Sequence, residues 1–146
     1  MVALLDVNVL VALFDPDHIH HETAHDWFAD HRAAGWASCS ITENGLVRVL
    51  SHPAYGVGLR TVEVVERLRR FKASGHHHFW DDRVSIADGS AFRAEVIANP
   101  RQVTDAHLLG LAVGHDGCLA TFDRSIPWHV AIGATADHLQ VIAPAG

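Results

Sequence analysis

Val2-Ala3-Leu4-Leu5-Asp6-Val7-Asn8-Val9-Leu10 is the stretch whose reading decides the fold. Four consecutive apolar residues suit a strand covered on both faces, where a half-solvated strand would alternate. Asp6 ends the run, and the apolar residues from Val9 to Phe14 continue with helical length. A strand that passes at once into a helix opens an α/β unit, and the pattern recurs downstream. Strands are expected near 2–6, 36–39, 77–80, 117–121 and 139–143, and helices at about 8–14, 20–32, 40–51, 61–73, 88–98 and 105–115. The fold class is therefore α/β, one domain over 1–146 with a mainly parallel central sheet of about five strands. Apolar stripes mark the core faces of two helices, Ala24, Trp27 and Phe28 in one and Val64, Leu68 and Phe71 in the other. Pro53, Asn99-Pro100 and Gly117 stand where the third, fifth and sixth helices should end.

Composition narrows the class. A chain of 146 residues, 49% hydrophobic and 19% charged, can bury a core and holds no low-complexity tract that would suggest disorder. Apolar runs are interrupted by Asp6, Asn8 and Asp15 well short of the roughly 20 residues a membrane span needs. The N-terminus has no basic region ahead of its apolar run, so a cytoplasmic protein without membrane contact is expected. Cys39 and Cys118 lie in apolar contexts and read as free buried thiols. A net charge of −6 opposes simple adhesion to nucleic acid, unless cations offset clustered acids and the arginines gather locally.

Four carboxylates fall at one end of the expected sheet. Asp6 closes the first strand, and Asp123 follows the strand Cys118 to Thr121 within two residues. Ligands of open α/β sheets collect at such carboxyl ends. Asp105 shares a helical stripe with Leu108, Leu109, Ala112 and Val113, and Glu43 shares one with Val47 and Leu50, so both point inward at the start of a helix. Each acid also has a plainer role. Ser40 and Glu43 have capping-box spacing, Asp105 sits in a first helical turn, and Asp6 with Asn8, or Asp123 before Ser125, can organise a turn. Clustering all four would be costly without protons or cations, and an oxygen-only donor set suits Mg²⁺ or Mn²⁺ better than zinc.

The chain resembles the PIN-domain nucleases, and within them the VapC-type toxins of bacterial toxin–antitoxin pairs. The likeness rests on Leu5-Asp6-Val7-Asn8-Val9-Leu10, on Thr42-Glu43 with Arg48, on Thr104-Asp105-Ala106-His107-Leu108-Leu109 with Leu111-Ala112, and on Ala120-Thr121-Phe122-Asp123. It covers essentially the whole chain. It implies an α/β/α sandwich, a metal-binding quartet of Asp6, Glu43, Asp105 and Asp123, and Asn8 and Thr121 as supporting residues. It further implies endoribonuclease activity on RNA, a small antitoxin as inhibitor, a homodimer, and work in a bacterial cytoplasm. His107 departs from the pattern, standing where relatives often carry an aromatic residue.

For RNA contact the candidates are Arg60, Arg67, Arg69, Arg70 and Lys72 around the fourth helix and Arg124 beside the acids, against the plainer reading of a solvated helix face. The 13 histidines, notably His18, His20, His21, His25 and His76 to His78, show no zinc-site spacing. Asp81-Asp82 compete as strand-end acids, but a doubly wound order puts their strand at the sheet edge. Two alternatives are a non-catalytic PIN-like binding module and a phosphotransferase resembling the haloacid-dehalogenase fold. The latter wants a second acid where Asn8 stands.

Overall fold

Ala3–Leu5 (β1) is the middle strand of a five-stranded sheet in the computed structural model, which describes residues 1–143. The other strands are Trp36–Ser38 (β2), His77–Phe79 (β3), Cys118–Thr121 (β4) and Leu139–Val141 (β5). Their order is β3-β2-β1-β4-β5 and every pairing is parallel. All five lie where the sequence places them. Ala3 is in register with Trp36 on one side and Cys118 on the other, so the apolar run of β1 is enclosed by strands as well as by both layers.

Five α-helices complete the three layers: Val7–Phe14 (α1), His21–His31 (α2), Ser40–Ser51 (α3), Thr61–Ala73 (α4) and Val103–Gly114 (α5). The alternation of the strands sorts them. Ala3, Leu5, Trp36, Cys118 and Ala120 face α1 to α4, packing with Leu10, Phe28, Leu46, Leu50, Val64 and Leu68. Leu4, Ala37 and Leu119 face the opposite way, against Leu108, Leu109 and Ala112 of α5 and the turn residues Ile126 and Val130. The chain leaves β1 outward through β2 to β3, then returns to β4 and β5. The order therefore reverses beside β1, and the crevice at the ends of β1 and β4 is the place such sheets offer a ligand.

One expected helix is absent. Over 88–98 the Asp88 carboxylate accepts the Ser90 N–H at 2.8 Å and its hydroxyl at 2.7 Å, a local turn that competes with helix formation. Phe92 then bridges antiparallel to Ala131, and the Arg93 N–H donates to the Val130 carbonyl at 2.8 Å. Only a 3-10 turn, Ala94–Val96, remains. Asn99-Pro100 opens a second such turn leading into α5 rather than closing a helix. No helix among the described residues is long and apolar enough to cross a membrane. Cys39 and Cys118 are free and buried.

Gly117 follows the end of α5 as expected, its N–H donating to the Ala112 carbonyl at 2.9 Å, and it has a second task. The left-handed residue after α5 is Asp116, with φ 56°. Gly117 is needed for space, because a Cβ there would meet the Val2 carbonyl oxygen and the Trp80 ring, both at 2.5 Å. Substitution Gly117→Ala must move backbone where β4 joins β1. It is expected to destabilise the fold by about 1–3 kcal/mol, measured as a lowered midpoint in urea unfolding with unchanged slope.

Candidate active site

Asp6 is the last residue before α1 and its N-cap. Its Oδ1 accepts the Val7 N–H at 2.7 Å, and its Oδ2 accepts the Thr121 hydroxyl at 2.7 Å. The side chain is 6% exposed, so these two bonds are what make its burial tolerable. The backbone repeats the link, the Asp6 N–H donating to the Ala120 carbonyl at 3.0 Å.

Thr121, at the end of β4 and fully buried, uses all its hydroxyl capacity. It donates to Asp6 and accepts from Asn8 Nδ2 at 3.3 Å and from the Asp123 N–H at 3.1 Å. Asn8 in turn accepts the Phe122 N–H at 3.4 Å. The turn after β4 is thus fastened to the turn after β1 by the two residues expected to support the acids.

Asp123 sits in that turn, its Oδ1 accepting the Ser125 N–H at 2.8 Å and the Ser125 hydroxyl at 2.7 Å, which hold its carboxyl below the usual range. Its plainer role as a turn former is real and coexists with a place beside the other aspartates. Asp105, half-buried in the first turn of α5, is pushed up to about 7 by burial and by the negative charges of Asp6 and Asp123, with which it shares a side-chain hydrogen bond on the Asp123 side. Asp6 is also raised, by burial first, against the lowering effect of its bonds from Thr121 and Val7. Of the three aspartates, Asp105 and Asp6 are thus raised and Asp123 is lowered, the divergence expected of carboxylates brought together in a partly buried site.

Glu43 is placed differently. The capping box of α3 belongs to Cys39 and Thr42, the Cys39 N–H donating to Thr42 Oγ1 at 3.0 Å, so Glu43 is not the cap that its spacing from Ser40 suggests. Its Oε2 accepts the Ser38 hydroxyl at 2.6 Å and pairs with Lys72 Nζ at 2.9 Å, and Ser38 also bonds His77 Nε2 at 2.7 Å. Asp6, Asp105 and Asp123 perturb one another; the Glu43 carboxylate is instead balanced by a cation. Among the described residues no three His, Cys, Asp or Glu side chains form a ready-made cation cage. Ser38, His77 and Lys72 went unread as partners of Glu43, since β2, β3 and α4 meet there only in three dimensions.

The remaining candidates separate by their contacts. Asp82 follows the edge strand β3, as the strand order required, and is paired with His107 at 3.0 Å. His107 also stacks on Phe92, taking the aromatic part at its position. Arg60 pairs with Glu63, Arg69 with Glu66, and Arg67 donates to the Phe14 carbonyl. Arg70 and Arg124 are exposed and form no ion pair among the described residues. His21 and His25 serve the end of α1, reaching the Ala12 carbonyl at 2.7 Å and the Leu13 carbonyl at 3.1 Å, while His20 stacks on Phe122.

Comparison with known proteins agrees with this geometry. Residues 3–127 match the PIN domain family, a span that includes all four acids, Asn8 and Thr121. The chain is 46% identical over 142 residues to Ribonuclease VapC44 of Mycobacterium tuberculosis, covering 97% of this chain and 100% of that protein. It is 41% identical over 143 residues to Ribonuclease VapC39 of the same species, with 97% and 100% coverage, and 42% identical over 128 residues to Ribonuclease VapC38, with 86% and 87% coverage. A three-layer sandwich with a parallel five-stranded sheet, the extent of the match and these full-length likenesses together make the chain a member of the PIN-domain family, of the VapC type.

Proposed function

We propose that this chain is a divalent-cation-dependent endoribonuclease and the toxin of a toxin–antitoxin pair, working as a homodimer in the bacterial cytoplasm under the control of a small antitoxin. The observation that carries the reading is the convergence of Asp6, Asp105 and Asp123 at the ends of β1 and β4 and the start of α5, where burial and the neighbouring carboxylates push Asp105 up to about 7. A cluster that holds a proton against its own repulsion is one a dication would relieve. The relatives named ribonucleases supply the substrate class.

The donor set fits Mg²⁺ or Mn²⁺. The donors are all oxygen, the kind of ligand a small hard cation takes together with water. Asp6, Asp105 and Asp123 would hold the ion, with Glu43 as the fourth acid. Bound there, it would activate a water and offset charge on the leaving oxygen. Thr121 orients Asp6 and is itself held by Asn8, and Ser125 fixes Asp123. Arg124 and Arg70 are free to meet RNA phosphates, and the exposed Arg69–Glu66 pair is weak enough to be exchanged for one.

Substitution Asp6→Asn, with folding verified by circular dichroism, is expected to abolish metal-dependent cleavage of RNA; undiminished cleavage by the folded variant would exclude the proposed site. Thr121→Val removes the donor to Asp6 while keeping shape, and should cost roughly 10–100-fold in activity or metal affinity, as loss of a residue that orients a ligand does.

Asp105 also gives a pH signature. Its folded value of about 7 exceeds the ordinary 3.8. Between those values the folded chain binds more protons than the unfolded one. Stability of the metal-free protein should fall as pH rises from about 4 to about 7 and level off above. In EDTA, Asp105→Asn should melt above the wild type at pH 7.5, and the gap should close near pH 4.5; saturating Mg²⁺ should stabilise only the wild type and reverse the order. Parallel melting curves at both pH values would refute this account of Asp105.

A further inference from the structure

Glu43 and Lys72 form a contact unlike the other ion pairs of α4. Arg60–Glu63 and Arg69–Glu66 join neighbours on one exposed helix surface, the sort of pair that contributes little. Lys72 instead reaches from the last turn of α4 to the first turn of α3, in a pair whose side chains are 30% and 18% exposed. Its ammonium also lies 5.2 Å from the centre of the Phe79 ring on the edge strand β3. Lys72 is the only lysine in the chain, and two separate elements hold its charge against the one acid that the aspartate cluster leaves outside.

We propose that Lys72 is a resident counter-ion of Glu43, competing with the divalent cation for this carboxylate and so lowering the metal affinity of the acidic site. The inference rests on the reading of the acids as a metal site. An ammonium suits the task because it is a compact charge on a flexible stem, able to satisfy Glu43 in the metal-free protein and to withdraw as an ion arrives. The Ser38 hydroxyl, itself bonded to His77, donates to the same oxygen, Oε2, so Glu43 keeps an anchor when the ammonium leaves. While the pair persists, it cancels the charge that Glu43 would bring to a dication.

Calorimetric titration of the full chain with MnCl₂ at low ionic strength tests the competition without recourse to cleavage. Lys72→Met should bind Mn²⁺ more tightly than the wild type by roughly 5–10-fold, the effect of removing one nearby positive charge, while Lys72→Arg stays within about twofold because it keeps the charge. A single lysine also gives a single side-chain ammonium NMR signal, which should shift as Mg²⁺ saturates the wild type. Equal or weaker Mn²⁺ binding by Lys72→Met, or a lysine signal that stays fixed at saturation, overturns the competition while leaving the metal reading intact. If the wild type binds no Mn²⁺, both fall together. Should Lys72→Met fail to fold, the wild-type lysine signal alone decides.

Discussion

The bond from the Thr121 hydroxyl to the Asp6 carboxylate is the interaction on which the rest of the site depends. A carboxylate 6% exposed at the end of a central strand is costly unless its lone pairs are met. Val7 meets one oxygen by starting α1, and Thr121 meets the other by ending β4. Val7 is a neighbour in the chain, but Thr121 arrives only because β1 and β4 run parallel in the register that aligns Leu5 with Ala120. One side chain thus caps a helix, ties the two strands at which the sheet reverses, and carries charge into the crevice between them.

Charge is distributed around that anchor in two ways. Asp105 joins Asp6 and Asp123 at close quarters and is compensated by a proton. Glu43 is compensated by Lys72. The same economy governs the basic residues of a chain with net charge −6. Most cations of α4 are engaged with its own acids, with Glu43 or with the end of α1, which leaves Arg70 as the open cation of that helix among the described residues. Several histidines that suggest a metal from their number are donors to helix-end carbonyls or aromatic platforms, as His21, His25 and His20 are.

Much of this was legible in the chain itself. Burial on both faces forces the continuous apolar run of β1, and helical periodicity puts Asp105 and Glu43 on inward stripes, so the strands, four helices close to their bounds and the place of α5 follow from spacing alone. The 88–98 segment misled because its composition permits a helix, while a side-chain turn at Asp88 and the distant partners Val130 and Ala131 of Phe92 and Arg93 prevent one. Gly117 marks the end of α5 as its sequence position suggests, but its need for space is tertiary. A helix-stop signal and a need for space look alike in sequence, and only the approach of Val2 and Trp80 separates them.

The sequence by itself determined the sheet and the family resemblance and put the four acids forward as candidates, because these depend on local period and on short motifs. Tertiary structure alone decided how those acids divide, Asp105 raised by burial beside Asp6 and Asp123, and Glu43 paired with Lys72 across two helices. It also decided that Thr42 rather than Glu43 closes the capping box of α3, leaving the glutamate free for Ser38. The physical reason is range. Periodicity and capping are set within a turn or two of chain, whereas the state of a carboxylate is set by whichever charges and hydroxyls the fold brings within a few ångströms, from residues more than a hundred positions away.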